Sequence, residues 1–462
     1  MFNPLSDRII QTIADALGRD ALDDRPETLR EYGRDTSDLS ADPEIVVRVR
    51  ETAQVEALLK LANEYRFPVT PRGAGSGLAG GSVPVRGGVL LSLADMNQIL
   101  AIDQHDLTAD VQPGVITLGL RQAVRKQGLY YPPDPAGMEL STVGGNAATN
   151  AGGPACLKYG TTRDYVLGLE AVLPTGQRIT TGTRTRKGVV GYNLTHLIVG
   201  SEGTLGVITG LTLKLIPHPP AVRGLAAAFT DLPAAMAAVH RILTSGHLPS
   251  ALEFMDYKSI KLVGDKLPFK VPGERPSLLI IETDGAEEQV DRDIELIAGL
   301  CRQMGASDLI MAGTEDERER VWGVRREISL LIHDNYPVYI PEDVVVPLGS
   351  IAAFVEGLPA FEAEYGFEVY AFGHAGDGNL HLNIVTTNRN NTDRFDKGIT
   401  AILKKVVASR GTISGEHGIG IAKKNFMALE LSDHSLELQR SIKQVFDPNN
   451  VLNPDKLFPE KS

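Results

Sequence analysis

Two glycine-hinged turns carry the residues best suited to chemistry. His374-Ala375-Gly376-Asp377-Gly378-Asn379-Leu380-His381 follows an apolar run, Val369 to Phe372, and its Asp-Gly pair marks a tight turn. Strands on both sides of that turn bring the two histidines together at its neck. On the second strand His381 and Asn383 share one face, and Leu380, Leu382 and Ile384 share the other. Ser414-Gly415-Glu416-His417-Gly418-Ile419-Gly420 is a second such turn and supplies Glu416 and His417. Two neutral imidazoles and a carboxylate form a zinc-type set with one position left open. A single histidine is more simply a satisfied core residue, but three of the ten histidines fall in these two turns, which favours a metal. In Trp322-Gly323-Val324-Arg325-Arg326-Glu327-Ile328-Ser329, on an expected helix, the arginines taken alone are as readily a solvated face paired with the preceding glutamates as a site.

Three glycine-rich loops crowd the first half of the chain. Pro71-Arg72-Gly73-Ala74-Gly75-Ser76-Gly77 follows a strand, and alternating glycines let successive amides point into one concavity that fits a phosphate. Gly75, Gly77 and Gly80 also satisfy G-x-G-x-x-G, but the dinucleotide version needs a helix directly after the loop. Gly80-Gly81, Pro84 and Gly87-Gly88 block one here. The second loop, Ser141 to Gly153, holds nothing bulky except Val143, so backbone can lie along a large planar ligand while Thr142, Asn146, Thr149 and Asn150 supply polar groups. The third, Gly200-Ser201-Glu202-Gly203-Thr204-Leu205-Gly206, feeds a strand that begins Val207-Ile208-Thr209. Each alone could be an ordinary turn; together they point to a large phosphate-bearing cofactor.

Hydrophobic periodicity supplies the elements that position these residues. Helices are expected over 6–17, 52–65, 117–127, 232–244, 287–304, 315–331 and 435–446, and strands over 44–50, 67–70, 89–93, 108–111, 167–173 and 207–216. The strand, helix and strand between 44 and 70 read as a βαβ unit. Pro217-His218-Pro219-Pro220 is the best linker, because consecutive prolines suit neither a helix nor a central strand.

Composition narrows the classes. With 462 residues and 42% hydrophobic content the chain suits two or three domains of a soluble globular protein. A net charge of -12 repels nucleic-acid phosphates, so nucleic-acid binding is disfavoured. Two cysteines, Cys156 and Cys301, cannot ligate an iron–sulfur cluster or build a disulfide scaffold, and a reducing cytoplasm is the simplest setting. The first twenty residues lack a signal peptide's pattern, and no apolar run approaches the roughly 20 residues of a membrane span.

From about 40 to 458 the chain resembles the FAD-linked 2-hydroxyacid dehydrogenases, the family of D-lactate dehydrogenase and the D subunit of glycolate oxidase. The resemblance implies an α+β fold: a vanillyl-alcohol-oxidase-type FAD-binding domain over 1–218, an α+β cap with an antiparallel sheet over 219–410, and a C-terminal segment, 411–462, returning to the FAD domain. It places the pyrophosphate on Pro71, Arg72, Gly73, Ala74, Gly75, Ser76 and Gly77. It lines the flavin ring with Thr142, Gly144, Gly145, Asn146, Thr149, Asn150, Gly152, Glu202, Gly203, Gly206, Val207 and Ile208, and adds Pro133, Asp134 and Asn453 as further contacts. Covalent members carry a histidine in the first loop; Gly73 to Gly77 has none, so the FAD is expected to be noncovalent.

The H-A-G-D-G-N-x-H pattern implies His374, His381 and Glu416 as ligands of a divalent metal, zinc first, iron or manganese next. The related D-2-hydroxyglutarate dehydrogenases imply Arg325 as the clamp on the substrate carboxylate. They also use a lysine shortly afterwards, absent from Tyr339-Ile340-Pro341-Glu342-Asp343-Val344, where an acidic pair would repel a second carboxylate. Lactate or glycolate is therefore expected over 2-hydroxyglutarate. Arg325, His417 and Asn383 form the catalytic set: Arg325 clamps the carboxylate, the metal lowers the pKa of the C2 hydroxyl, His417 takes its proton and a hydride leaves for the flavin. The acceptor is expected to be an electron-transferring flavoprotein or a separate iron–sulfur subunit, through which a cytoplasmic protein could reach a membrane. Which hydroxy acid and how many copies assemble, a homo-oligomer included, stay open. So do a metal-dependent hydrolase, a subunit without turnover and a nonredox lyase or synthase.

Overall fold

The computed structural model describes residues 2–267, 271–388 and 392–460. The chain divides into two compact units. The first comprises Met1–Gly153, Gly160–His218 and Glu416–Ser462, the second Pro154–Tyr159 and Pro219–Gly415. Among the described residues no helix is long and apolar enough to cross a membrane.

In the first unit, Ser6 caps helix Asp7–Leu17, which buries Ile9, Ile13 and Leu17. Strands Leu22–Asp23, Ile45–Arg48, Val89–Ser92 and Val69–Arg72 form a sheet in that order, the last three parallel. Helix Thr52–Tyr65 buries Val55, Leu58, Leu59 and Ala62 at helical spacing, in one apolar core with these strands. The expected βαβ unit is split, because Val89–Ser92 inserts between its two strands. The strand expected at 67–70 starts at Val69 instead: Phe67 is used as core, and pairing begins at Val69↔Val89. No helix follows Arg72, so the glycines beyond it are not a Rossmann turn.

A five-stranded antiparallel sheet runs Ile99–Asp103, Thr108–Val111, Val207–Lys214, Val166–Val172 and Arg178–Gly182. The Ser141–Gly153 stretch is not a loop throughout. Val143–Thr149 is a short helix, with Thr142 Oγ1 accepting the Gly145 amide at its start. Its glycines read as helix-breaking, but Gly144 is required by packing: a Cβ there would sit 2.4 Å from Pro113 Cβ.

The second unit is one seven-stranded antiparallel sheet, ordered Asp308–Ala312, Ala221–Phe229, Ser277–Gly285, Ala251–Met255, Glu368–His374, Asn379–Thr386 and Val338–Val345. Alternation along the strands puts Ala226, Leu278, Ile280, Met255 and Phe372 in one apolar core with Val321, Val324, Ile328 and Ile332 of helix Glu315–Asn335. Two stretches fall in this unit against expectation. Pro154–Tyr159 is held by Lys158 and Tyr159, both bonded to Asp284. Residues 411–415 stay because Thr412 pairs with Val345 and the Gly415 amide donates to Asp343 at 2.8 Å.

Candidate active site

The second unit brings His374 and His381 together across a strand pair. His374 lies opposite Asn379, and His381 opposite Phe372. Their Nε2 atoms are 3.4 Å apart. Two nitrogens bound at about 2.0–2.1 Å to one tetrahedral ion lie roughly 3.3–3.4 Å apart, so this spacing would let both reach a single ion. Gly373 makes the approach workable: its φ is 150°, and a Cβ there would meet the Asn379 carbonyl at 2.3 Å.

Behind the pair stands Glu253, fully buried on strand Ala251–Met255. One carboxylate oxygen bonds His374 Nδ1, and the other accepts from Arg325 Nη2 at 2.9 Å and Nε at 3.1 Å. Burial alone would raise this carboxyl; His374 and Arg325 outweigh it and bring its pKa down to about 2. A carboxylate on the far nitrogen fixes an imidazole's orientation and leaves Nε2 for a metal. The Arg325 guanidinium also lies over the Phe372 ring, 4.3 Å from its centroid. Glu253 was missed in the sequence. The available signal is a lone acid inside an apolar strand, Ala-Leu-Glu-Phe-Met.

Asn383 shares the His381 face, and its Oδ1 accepts from Tyr339 Oη at 2.8 Å. Glu342 and Asp343 do not act as a pair, because neighbours on a strand point to opposite sides. Asp343 is opposite His381 and takes bonds from Asn379 Nδ2 (2.6 Å) and the Gly415 amide. Glu342 is opposite Leu382, on the other face.

In the first unit the glycine loops surround a cavity of ≈ 230 Å³, far beyond an ordinary packing void. Its wall includes the loop from Pro71 to Gly77, then Thr142, Gly144, Gly145, Asn146, Thr149 and Gly152, then Glu202, Gly203, Gly206, Val207 and Ile208. The amides of Ala74, Gly75 and Ser76 donate to no acceptor among the described residues. A glycine-rich wall with free consecutive amides fits a pyrophosphate, and the apolar part at Val207 and Ile208 fits a ring. Pro133, Asp134, Asn150 and Asn453 do not line it. Asn150 ends the short helix in a left-handed turn and accepts the Arg163 amide at 2.9 Å; Asn453 donates to the carbonyls of Gly81 and Glu202. Asp35, Leu78 and Pro113 line the cavity and were not foreseen.

Two family descriptions match the chain: "FAD binding domain" over residues 43–182 and "FAD linked oxidases, C-terminal domain" over 218–457. Glycolate oxidase subunit GlcD of Bacillus subtilis (strain 168) is 41% identical over 418 residues, 90% of this chain and 89% of the relative. D-lactate dehydrogenase of Anaerostipes hadrus is 41% identical over 428 residues, 90% of each. The chain belongs to the FAD-linked oxidases. A solved structure of p-cresol methylhydroxylase with substrate bound matches with a TM-score of 0.79 at 18% identity, over 98% of this chain and 96% of that one. The fold of this FAD-linked oxidase is thus the vanillyl-alcohol-oxidase type, and FAD is its cofactor.

The oxidase's third loop does more than line the cavity. Glu202 is buried, with φ at 51°, and its two carboxylate oxygens accept the amides of Ile419 and Gly420, both at 2.7 Å. Burial pushes this carboxyl up, against the amide bonds that favour its anion. The anchored turn carries Glu416 and His417, both on the cavity wall. Glu202 therefore sets the backbone that presents His417.

Proposed function

We propose that this FAD-linked oxidase oxidises a small D-2-hydroxy acid, D-lactate first and glycolate next, to the 2-oxo acid and passes the electrons to a protein. The observation that carries the reading is the shared use of Glu253 by Arg325 and His374: a carboxylate-binding fork and a metal-type imidazole pair are fixed by one buried anion. The two relatives named for glycolate and D-lactate support it.

When bound, FAD supplies the hydride acceptor and a divalent metal, zinc or else iron or manganese, supplies the acidity of the C2 hydroxyl. His374 and His381 would hold that metal, with Glu416 as the third donor that the family motif names. Pro71 to Gly77 would hold the pyrophosphate noncovalently, since that loop has no histidine. Arg325 fastens the substrate carboxylate through two parallel charge-assisted bonds. Asn383 orients the substrate from the His381 face, and His417 takes the hydroxyl proton, a task suited to imidazole near neutral pH.

The strand beside His381 and Asn383 contributes Asp343 and Tyr339 to that face and no cation, which supports a monocarboxylate. A metal-dependent hydrolase would leave the FAD-binding domain without a use. The two cysteines cannot hold a cluster, so an electron-transferring flavoprotein or an iron–sulfur subunit is the acceptor.

The test is an anaerobic panel of D-lactate, L-lactate, glycolate and D-2-hydroxyglutarate, following flavin absorbance. D-lactate should bleach the flavin fastest. A higher specificity constant for D-2-hydroxyglutarate would overturn the substrate reading, and no bleaching by any of the four would overturn the reaction.

A further inference from the structure

A surface loop of the first unit departs from the rest of the chain in charge and exposure. The protein carries 58 acidic and 46 basic side chains, yet from Ala171 to Ser201 there is no Asp or Glu. Arg178 and Arg184 in that stretch are neutralised by Glu56 and Asp110, each at 2.5 Å. Arg186 and Lys187 are exposed and form no ion pair among the described residues. Directly after them Val189, Val190 and Tyr192 are 96%, 100% and 96% exposed. Nowhere else among the described residues do three large apolar side chains stand so far out within four positions. Isolated exposed apolar side chains need no explanation, but a cluster beside unpaired cations is the composition of a contact surface.

We propose that Arg186, Lys187, Val189, Val190 and Tyr192 form the docking loop for an acidic, electron-accepting protein. The inference rests on the reading above, in which electrons leave to a protein. Charge decides the occupant. Two free cations on an otherwise acidic molecule steer an acidic surface to this loop and repel wrong orientations. Redox encounters bury little area, less than about 1,200 Å², which a contact centred on one loop can meet. An anionic bilayer fits less well: each cation contributes about 1 kcal/mol there, against the repulsion of a chain with net charge -12. In the transfer, one hydride-reduced flavin gives up two electrons, one to each of two molecules of a one-electron acceptor, and the one proton it received with the hydride's electrons passes to solvent.

The experiment uses the FAD-loaded protein with its flavin reduced by dithionite, so it does not depend on the substrate being right. The probe is soluble cytochrome b5, an acidic one-electron haem protein, with a small uncharged dye as control. The wild-type rate of haem reduction should fall about tenfold between roughly 20 and 200 mM salt. The R186E/K187E variant should be about tenfold slower at low salt and lose the salt dependence. V189S/V190S should also slow haem reduction, and dye reduction should stay within about twofold throughout. R186Q/K187Q serves if the charge reversal damages folding. Wild-type protein that fails to reduce the haem, or variants that match it, overturn the proposal. So does loss of binding to phosphatidylserine vesicles, or of self-association, with haem reduction unchanged: the first assigns the loop to a membrane, the second to another copy of the chain. Failure of the hydroxy-acid panel with haem reduction intact would instead count against the substrate reading.

Discussion

Arg325 Nη2 lies 2.9 Å from a carboxylate oxygen of Glu253, a residue with no exposed surface at all. The guanidinium is thus held before any substrate arrives, and the same carboxylate fixes His374. Removing either partner strands a buried charge, so the effects of substitution should be large and coupled.

Glu253→Gln keeps the shape of the side chain and removes its charge. Turnover should fall about 10–100-fold and metal affinity by a similar factor, with flavin content unchanged. Metal analysis and the flavin spectrum of the purified variant check both. Normal metal content with normal turnover would reduce Glu253 to a packing residue.

Arg325→Lys retains the positive charge but not the planar fork. The specificity constant should fall by about 1.5–3 kcal/mol, roughly ten- to 160-fold, most of it as a raised KM. Steady-state kinetics with a dye acceptor measure this. An unchanged KM would place the substrate carboxylate elsewhere.

His381→Ala removes one imidazole from the pair that stands 3.4 Å apart. It should abolish turnover and leave FAD bound, because the loops that line the cavity lie in the other unit. Chelation of the wild-type protein should do the same, reversibly. A variant that loses FAD but keeps its metal would refute this separation.

Glu202→Gln leaves one oxygen for two amides, because the carboxamide nitrogen cannot accept. One of Ile419 and Gly420 loses its partner, at a cost of about 1–3 kcal/mol. The expected result is a lower kcat with KM little changed and measurable destabilisation by denaturant. Calorimetric titration of FAD separates a displaced His417 from a damaged flavin cavity. A drop confined to FAD affinity would leave Glu202 as a cofactor contact only.

Burial lifts the carboxyl of Asp256 from 3.8 to about 6, despite bonds from Ser259 and the Ala371 amide. The folded protein therefore takes up a proton near pH 6 that the unfolded chain takes up only near 3.8. This group adds stability as pH falls between those values and withdraws it as pH rises through 6. Denaturant midpoints of wild type and Asp256→Asn at pH 7 and 5 should show the difference moving in favour of wild type at the lower pH. A difference that does not change with pH would refute the assignment.

What could be read in the sequence was what is local along it. The two histidines are seven residues apart and joined by a turn whose residues announce it, and the phosphate-type loop is contiguous. Glu253 stayed invisible because its partner His374 is 121 residues away and only strand pairing unites them. Likewise Asn453 reads as a ligand contact by its neighbourhood in sequence, whereas the two carbonyls to which its side-chain nitrogen donates, those of Gly81 and Glu202, are brought to it only by folding. The helix Val143–Thr149 was hidden by its glycines, one of which, Gly144, is demanded by Pro113, a residue about thirty positions earlier. The acidic pair at 342 and 343 failed as a pair because a strand separates neighbours that a linear reading places side by side.

The assignment of Glu416–Ser462 to the first unit bears on how the protein is made. Synthesis is vectorial, and the strand Val69–Arg72 and the glycine loops leave the ribosome long before the residues that pin them. Leu452 bridges to Val69, and Asn453 and the turn at Ile419–Gly420 secure the Glu202 loop. The nascent chain must therefore hold an incomplete flavin cradle while the whole second unit is translated. The cradle is complete only once the last fifty or so residues have emerged, and until then its apolar wall is the kind of exposed surface that invites misassembly.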